Sequence, residues 1–186
     1  KGCVDLAKYC LTTLGLADDV TYRMSKWDPA NSDKYLGNAE LWDEVEGMMR
    51  TILDDIGIDY TEEAGEAAFY GPKLDIQAKN VYGKEDTMIT IQLDMFLAER
   101  FDMTYIDRDG EKKRPYIIHR TSMGCYERTL AWLIEKYEGA FPTWLCPEQV
   151  RVLPISEKYH DYAEKVEEQL KANGILCTVD ERSEKI

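Results

Sequence analysis

The chain has 186 residues, enough for one good core or for one domain and part of another. Apolar residues make up 44% and charged residues 32%, as in a globular protein; no apolar run approaches a membrane span, and no signal peptide is visible. The formal net charge of −13 excludes a surface that coats nucleic acid broadly, although it leaves room for a local basic site.

Five cysteines (Cys3, Cys10, Cys125, Cys146 and Cys177) are scattered and form no C-x-x-C pair, which points to a reduced, cytoplasmic chain. Val4, Ala7, Leu11 and Leu14 form a helical stripe over residues 4–14, with Gly15 as its stop. No initiator methionine precedes this helix, and the last strand-like run has nothing to pair it, so both ends read as those of an excised fragment. Residues 20–25 alternate as a strand, and residues 27–32 carry turn chemistry. Asn38 caps a predicted helix over 38–56 that Gly57 closes; Leu41, Val45, Met48, Ile52 and Ile56 are expected on its packed face. Glu40, Asp43, Glu44 and Glu46 gather near its start, where the dipole favours them, and read as a solvated face.

The middle is β-rich. Leu74, Ile76 and Ala78 alternate with Lys73, Asp75, Gln77 and Lys79. After a hairpin-type loop at 82–86, Ile89, Ile91 and Leu93 point one way, and Met88, Thr90, Gln92 and Asp94 the other. A third strand over 103–107 is expected to turn at 108–111 into the strand that carries His119. The pattern predicts an antiparallel sheet with one apolar and one polar face. Such a polar face is usually solvated surface, but Phe69-Tyr70-Gly71-Pro72-Lys73 leads straight into it with an aromatic and a lysine, which favours a ligand platform.

Residues 116–128 read as a strand, a turn at Gly124 and the start of a helix that runs to about Tyr137. Tyr126, Leu130, Leu133, Ile134 and Tyr137 stand at helical spacing, so the side chains past Leu130 are expected in the core. Arg128 lies in the first turns, where the macrodipole disfavours a cation, and this suggests that an anion comes to it. Residues 139–147 end the helix and look like a domain boundary. A strand at 149–155, a helix at 157–172 stopped by Asn173-Gly174, and a strand at 175–179 then make a βαβ unit whose sheet should be parallel. His160 falls in that amphipathic helix and reads as a surface residue. The fold class is α+β: an antiparallel sheet with packing helices over 1–146, followed by the first βαβ unit of an α/β domain over 147–186.

Several stretches combine into a resemblance. They are Gly65-Glu66-Ala67-Ala68-Phe69-Tyr70-Gly71-Pro72-Lys73, Ile91-Gln92-Leu93-Asp94, Ile118-His119-Arg120, Gly124-Cys125-Tyr126-Glu127-Arg128, Phe141-Pro142-Thr143-Trp144-Leu145, and residues 180–186. Together they resemble the class II aminoacyl-tRNA synthetases, and among these the threonine-specific enzymes. The Glu-Arg helix is similar to the third signature motif of the class. The resemblance implies that residues 1–146 are the C-terminal part of a catalytic domain and residues 147–186 the start of an anticodon-binding domain.

It also implies roles. Arg128 matches the arginine that holds ATP at the adenine face and the terminal phosphate, which would answer the helix-dipole anomaly. His119 matches one of three protein ligands of a zinc ion that grips the amino and hydroxyl groups of threonine, a device that rejects valine better than an apolar pocket does. Without the resemblance, a strand-end histidine would be read as structural. Tyr70 and Lys73 match residues around threonine and its adenylate, and Thr90 and Gln92 match positions lining the same pocket; Arg128, Gln92 and Lys73 are the expected catalytic residues. The parent is expected to ligate threonine to its tRNA through threonyl adenylate, with Mg2+ on the phosphates of ATP, in the cytoplasm and as a homodimer, without a membrane partner.

The chain also departs from the family pattern. Asp86-Thr87-Met88-Ile89 stand where a Trp-Gln-Cys-Gly run is common, and Cys125 replaces a serine. Nothing near Cys125 could activate it as a thiol nucleophile. The other two zinc ligands and the arginine for the α-phosphate are expected before Lys1, so the isolated fragment is expected to be inactive. The alternatives are a sibling prolyl- or seryl-type synthetase and a non-catalytic module that binds nucleotide or tRNA for regulation.

Overall fold

The computed structural model describes residues 1–182. It divides into two compact units, Lys1–Glu135 and Lys136–Ile186. The part of the resemblance carried by residues 183–186 lies outside the described residues.

In the first unit, α1 (Gly2–Thr13) buries Val4, Ala7 and Leu11, the predicted stripe. It is followed by β1 (Val20–Lys26), α2 (Ala39–Asp55), β2 (Tyr60–Ala64), β3 (Lys73–Lys79), β4 (Glu85–Asp94) and the short α3 (Leu97–Arg100). Then come β5 (Tyr105–Ile106), β6 (Lys112–Lys113), β7 (Ile117–Arg120) and α4 (Tyr126–Tyr137). Five strands form one sheet in the order β2-β1-β3-β4-β7. Every neighbouring pair is antiparallel except β1 and β2, which run parallel.

Several elements differ from the sequence expectation. The strand expected at 103–107 stays outside the sheet: only Tyr105–Ile106 is extended, and it pairs with β6 in a separate ribbon. Its turn closes on itself, because Lys113 Nζ reaches Asp107 and Asp109 at 2.5 and 2.6 Å. β7 therefore pairs directly with β4. The edge strand β2 had no apolar alternation to announce it, since its Thr-Glu-Glu-Ala stretch faces solvent.

Asn38 caps α2 as expected, accepting the Leu41 N–H at 3.0 Å. The packed face is rotated from the predicted one. Trp42, Val45, Glu46 and Leu53 are buried, while Met48 and Ile52 remain 42% and 40% exposed. Trp42 sets this phase by stacking on Trp27 at 5.8 Å and meeting Tyr35 edge-on at 5.2 Å. α4 shows the same kind of shift. It buries Thr129, Trp132 and Leu133, leaving Tyr126, Leu130 and Ile134 outside the core. The second unit carries the βαβ pattern in a shorter form: β8 (Val150–Val152), α5 (His160–Ala172) and β9 (Cys177–Val179), with β8 and β9 parallel. His160 opens α5 and is half-buried.

Glu46, read from the sequence as solvated, is 3% exposed and accepts the Trp27 N–H at 3.0 Å. Arg50 links it at 3.3 Å to Glu62 of β2, which Arg50 Nε meets at 2.7 Å. Burial pushes the Glu46 carboxyl above its ordinary value, while the Arg50 hydrogen bond pulls Glu62 below its own. A raised carboxyl contributes stability that is complete below the ordinary glutamate value of about 4.3 and is lost as pH rises through the folded value. A depressed one contributes above about 4.3 and loses that contribution as pH falls through its folded value. Urea unfolding should therefore show Glu46→Gln gaining on wild type as pH rises from about 4 to 7, and Glu62→Gln losing ground over the acid range. Parallel pH profiles for both variants would refute the opposed shifts.

Candidate active site

Two loops are pressed against β4, and glycine allows each approach. A Cβ at Gly71 would lie 1.7 Å from the Leu93 carbonyl oxygen. One at Gly124, where φ is +83°, would lie 2.0 Å from the Met88 carbonyl oxygen. The first contact is reinforced by backbone bonds from Leu93 N–H to Pro72 O at 3.0 Å and from Met95 N–H to Tyr70 O at 3.1 Å. It delivers Tyr70 and Lys73 to the sheet. The second delivers the start of α4, and with it Arg128.

The strand register then sets a row of side chains. Lys73 on β3 is opposite Gln92 on β4, and Gln92 is opposite His119 on β7. The Tyr70 hydroxyl donates to Gln92 Oε1, and its ring lies 5.6 Å from the His119 ring and 5.0 Å from Phe69. Burial, with a smaller push from the Asp94 charge, raises the Tyr70 phenol, which keeps it a proton donor. Thr90 Oγ donates to Asp75 Oδ1 at 2.9 Å, and Lys73 Nζ lies 3.0 Å from Asp75 Oδ2. Tyr70, Lys73, Thr90, Gln92 and His119 are thus brought together.

Arg128 stands apart from this row. Its Nη1 donates to the Thr87 carbonyl at 2.5 Å, three residues back along β4 from Thr90. The β3–β4 register shifts there, between Ile76 and Gln77, so that Met88 has no partner in the ladder and Thr87 pairs with Gln77. Cys125 is exposed, and its sulfur accepts the Arg128 N–H at 3.4 Å, a capping contact at the start of α4.

His119 Nε2 lies 2.9 Å from Asp94 Oδ2. Burial alone would raise the Asp94 carboxyl, but hydrogen bonds from His119 and from the Leu97 and Phe96 N–H groups outweigh it and hold the carboxyl below its ordinary value. With Nε2 committed to the carboxylate, Nδ1 is the nitrogen left to face a metal, an arrangement common for histidine ligands. His119 therefore fits one position of a zinc site. Among the described residues no three His, Cys, Asp or Glu side chains cluster to hold a metal by themselves. Sequence reasoning assigned no role to Asp75 or Asp94; strand alternation placed both on the polar face, and only the fold shows that both are fully buried there.

Comparison with known proteins agrees with this architecture. Residues 3–137 match the tRNA synthetase class II core domain of the G, H, P, S and T enzymes, and residues 149–186 match the anticodon binding domain. The chain belongs to the class II aminoacyl-tRNA synthetases. It is 63% identical over all 186 residues to the threonine–tRNA ligase of Clostridium perfringens and 47% identical over 184 residues to that of Oceanobacillus iheyensis. It spans 29% and 28% of those proteins, less than a third of their length. Among solved structures, it resembles the RNA binding domain of the threonyl-tRNA synthetase from Cryptosporidium parvum, with a TM-score of 0.78 and 34% identity, over all of this chain and 45% of that one. Among the described residues, no helix is long and apolar enough to cross a membrane.

The glycine contacts are open to direct measurement. Gly124→Ala and Gly71→Ala should each cost about 3 kcal/mol or more in urea unfolding, because the new methyl meets backbone that cannot yield. Gly83→Ala, with φ +74° and nothing within 4 Å of the added carbon, should cost only about 1 kcal/mol. Equal costs at all three positions would show that conformation, not contact, requires the glycines.

Proposed function

We propose that the longer protein carrying this chain joins threonine to its transfer RNA with ATP, through threonyl adenylate. The observation that supports this most directly is the row Lys73, Gln92, His119 across three strands with Tyr70 laid over it. The 63% identity of the whole chain to a threonine–tRNA ligase favours threonine over the sibling amino acids.

In this reading the amino acid lies on the polar face of β3, β4 and β7. Lys73 offers a cation to its carboxylate, while the Tyr70–Gln92 pair and Thr90 line the pocket. His119 Nδ1 supplies one ligand of a zinc ion, which when bound would hold the amino and hydroxyl groups of threonine. Arg128, at the other end of β4, takes ATP by stacking and by charge, and Mg2+ accompanies the phosphates. Adenylate formation then depends on alignment and on charge stabilisation more than on a protein nucleophile. Residues 147–186 belong to the anticodon-binding part, the protein acts in the cytoplasm, and it works as a homodimer.

The test is threonine-dependent ATP–pyrophosphate exchange by the full-length protein. Exchange should be driven by threonine well above proline, serine or valine. Arg128→Ala should lower kcat/KM for ATP on the order of 100-fold. His119→Ala should lower bound zinc, measured by elemental analysis, together with discrimination against valine. Exchange driven by proline or serine would overturn the threonine assignment, and no exchange with any amino acid would favour the regulatory module.

A further inference from the structure

We propose that Asp75 is a positioning residue of the amino-acid site: its buried carboxylate sets Lys73 as a donor and Thr90 as an acceptor toward the substrate. This rests on the reading of the sheet face as the threonine site.

Asp75 lies in the middle of β3, the central strand, and is 0% exposed. A carboxylate taken out of water is costly unless each oxygen is paired and hydrogen-bonded. Here the partners come from three strands. Oδ2 accepts from Ser25 Oγ at 2.7 Å and meets Lys73 Nζ at 3.0 Å and Arg23 Nη2 at 3.3 Å. Oδ1 accepts from Thr90 Oγ at 2.9 Å. Ser25 is itself fully buried and lies on β1, two residues along from Arg23, so the carboxylate is held from the strands on both sides of β3.

Two consequences follow from donor and acceptor chemistry. An ionised carboxylate only accepts, so the Thr90 hydroxyl must spend its proton on Asp75. Its lone pairs are then what it presents to a ligand, which suits an ammonium or hydroxyl group. The lysine ammonium carries three donors on a flexible stem, and fixing that stem costs rotamer entropy. One donor anchored on Asp75 leaves two for a substrate carboxylate. Arg23 and Lys73 share a single buried carboxylate, and the only other acid by Arg23 among the described contacts is Glu66 at 4.0 Å, on a half-exposed side chain. The face therefore retains positive charge beside Lys73 and acceptor character at Thr90. That combination is complementary to an amino acid, anionic at one end and a donor at the other.

The experiment is a double-mutant cycle in the full-length protein, read by threonine-dependent ATP–pyrophosphate exchange. Asp75→Asn keeps the shape, removes the charge and places an amide donor among donors. It should raise KM for threonine about tenfold with kcat within about threefold of wild type. Lys73→Met should raise KM for threonine at least as much and lower kcat as well, and the double variant should be no worse than about threefold beyond Lys73→Met alone in either parameter. A merely structural loss would lower kcat through the folded fraction and leave KM where it was. Should Asp75→Asn fail to fold by circular dichroism, Ser25→Ala is read instead; it removes one hydrogen bond to the same carboxylate and should raise KM for threonine about threefold. Losses that multiply in the double variant, or an unchanged KM in Asp75→Asn or in Ser25→Ala, would overturn the assignment while leaving the threonine reading intact. Absence of exchange by wild type would instead remove the threonine reading, and this inference with it.

Discussion

Two backbones reach van der Waals contact with the carbonyls of one strand, and the geometry of the site depends on that contact. Gly71 closes on Leu93, and Gly124 closes on Met88. Both partners lie on β4, so one strand carries the loop that brings Tyr70 and Lys73 and the turn that brings Arg128. The distance between Thr87, where Arg128 is anchored, and Gln92, where Tyr70 is anchored, is five strand residues, about 16 Å. A hydrogen-bonded strand in the interior of a sheet holds such a separation better than any loop could.

β3 adds the second constraint. A strand with neighbours on both sides and polar residues on one face would normally show that face to water. In this protein both faces of β3 are buried, and Asp75 and Gln77 lie inside. The charge of Asp75 is tolerated because Arg23, Lys73, Ser25 and Thr90 converge on it. Such a network is costly to break at one member, on the order of 3–5 kcal/mol, because the remaining charge would be left unpaired. The polar face is therefore rigid, and its donors and acceptors are oriented before any ligand arrives.

Legibility varied with the kind of signal. Local chemistry read well: Asn38 as a cap, the stripe of α1, the parallel βαβ unit, and the alternation that put Lys73, Asp75, Thr90 and Gln92 on one side. The helix faces read badly. α2 has two overlapping apolar stripes, one through Met48 and Ile52 and one through Trp42, Val45 and Leu53, and periodicity cannot rank them. The aromatic cluster with Trp27 and Tyr35 ranks them, and those residues lie outside the helix, on the segment that precedes it. On α4 the expected Leu133 is buried, together with Thr129 and Trp132, whereas Leu130 and Ile134 of the expected stripe stay exposed. The 103–107 segment has strand propensity, but its turn pairs it with β6 at short range.

By itself the sequence determined most of the element types and the α+β class, because these depend on residue chemistry and short-range spacing, and its resemblance to the class II synthetases implied the family and the candidate side chains from Tyr70 to Arg128. Only the tertiary structure decided which of those side chains meet. It gathered Tyr70, Lys73, Thr90, Gln92 and His119, set Arg128 apart at the bulge near Met88, and turned Asp75 and Asp94 from two acids on an alternating strand into buried anchors. The reason is physical: burial and cross-strand register belong to pairs of segments, and a single strand carries no record of what will lie against it.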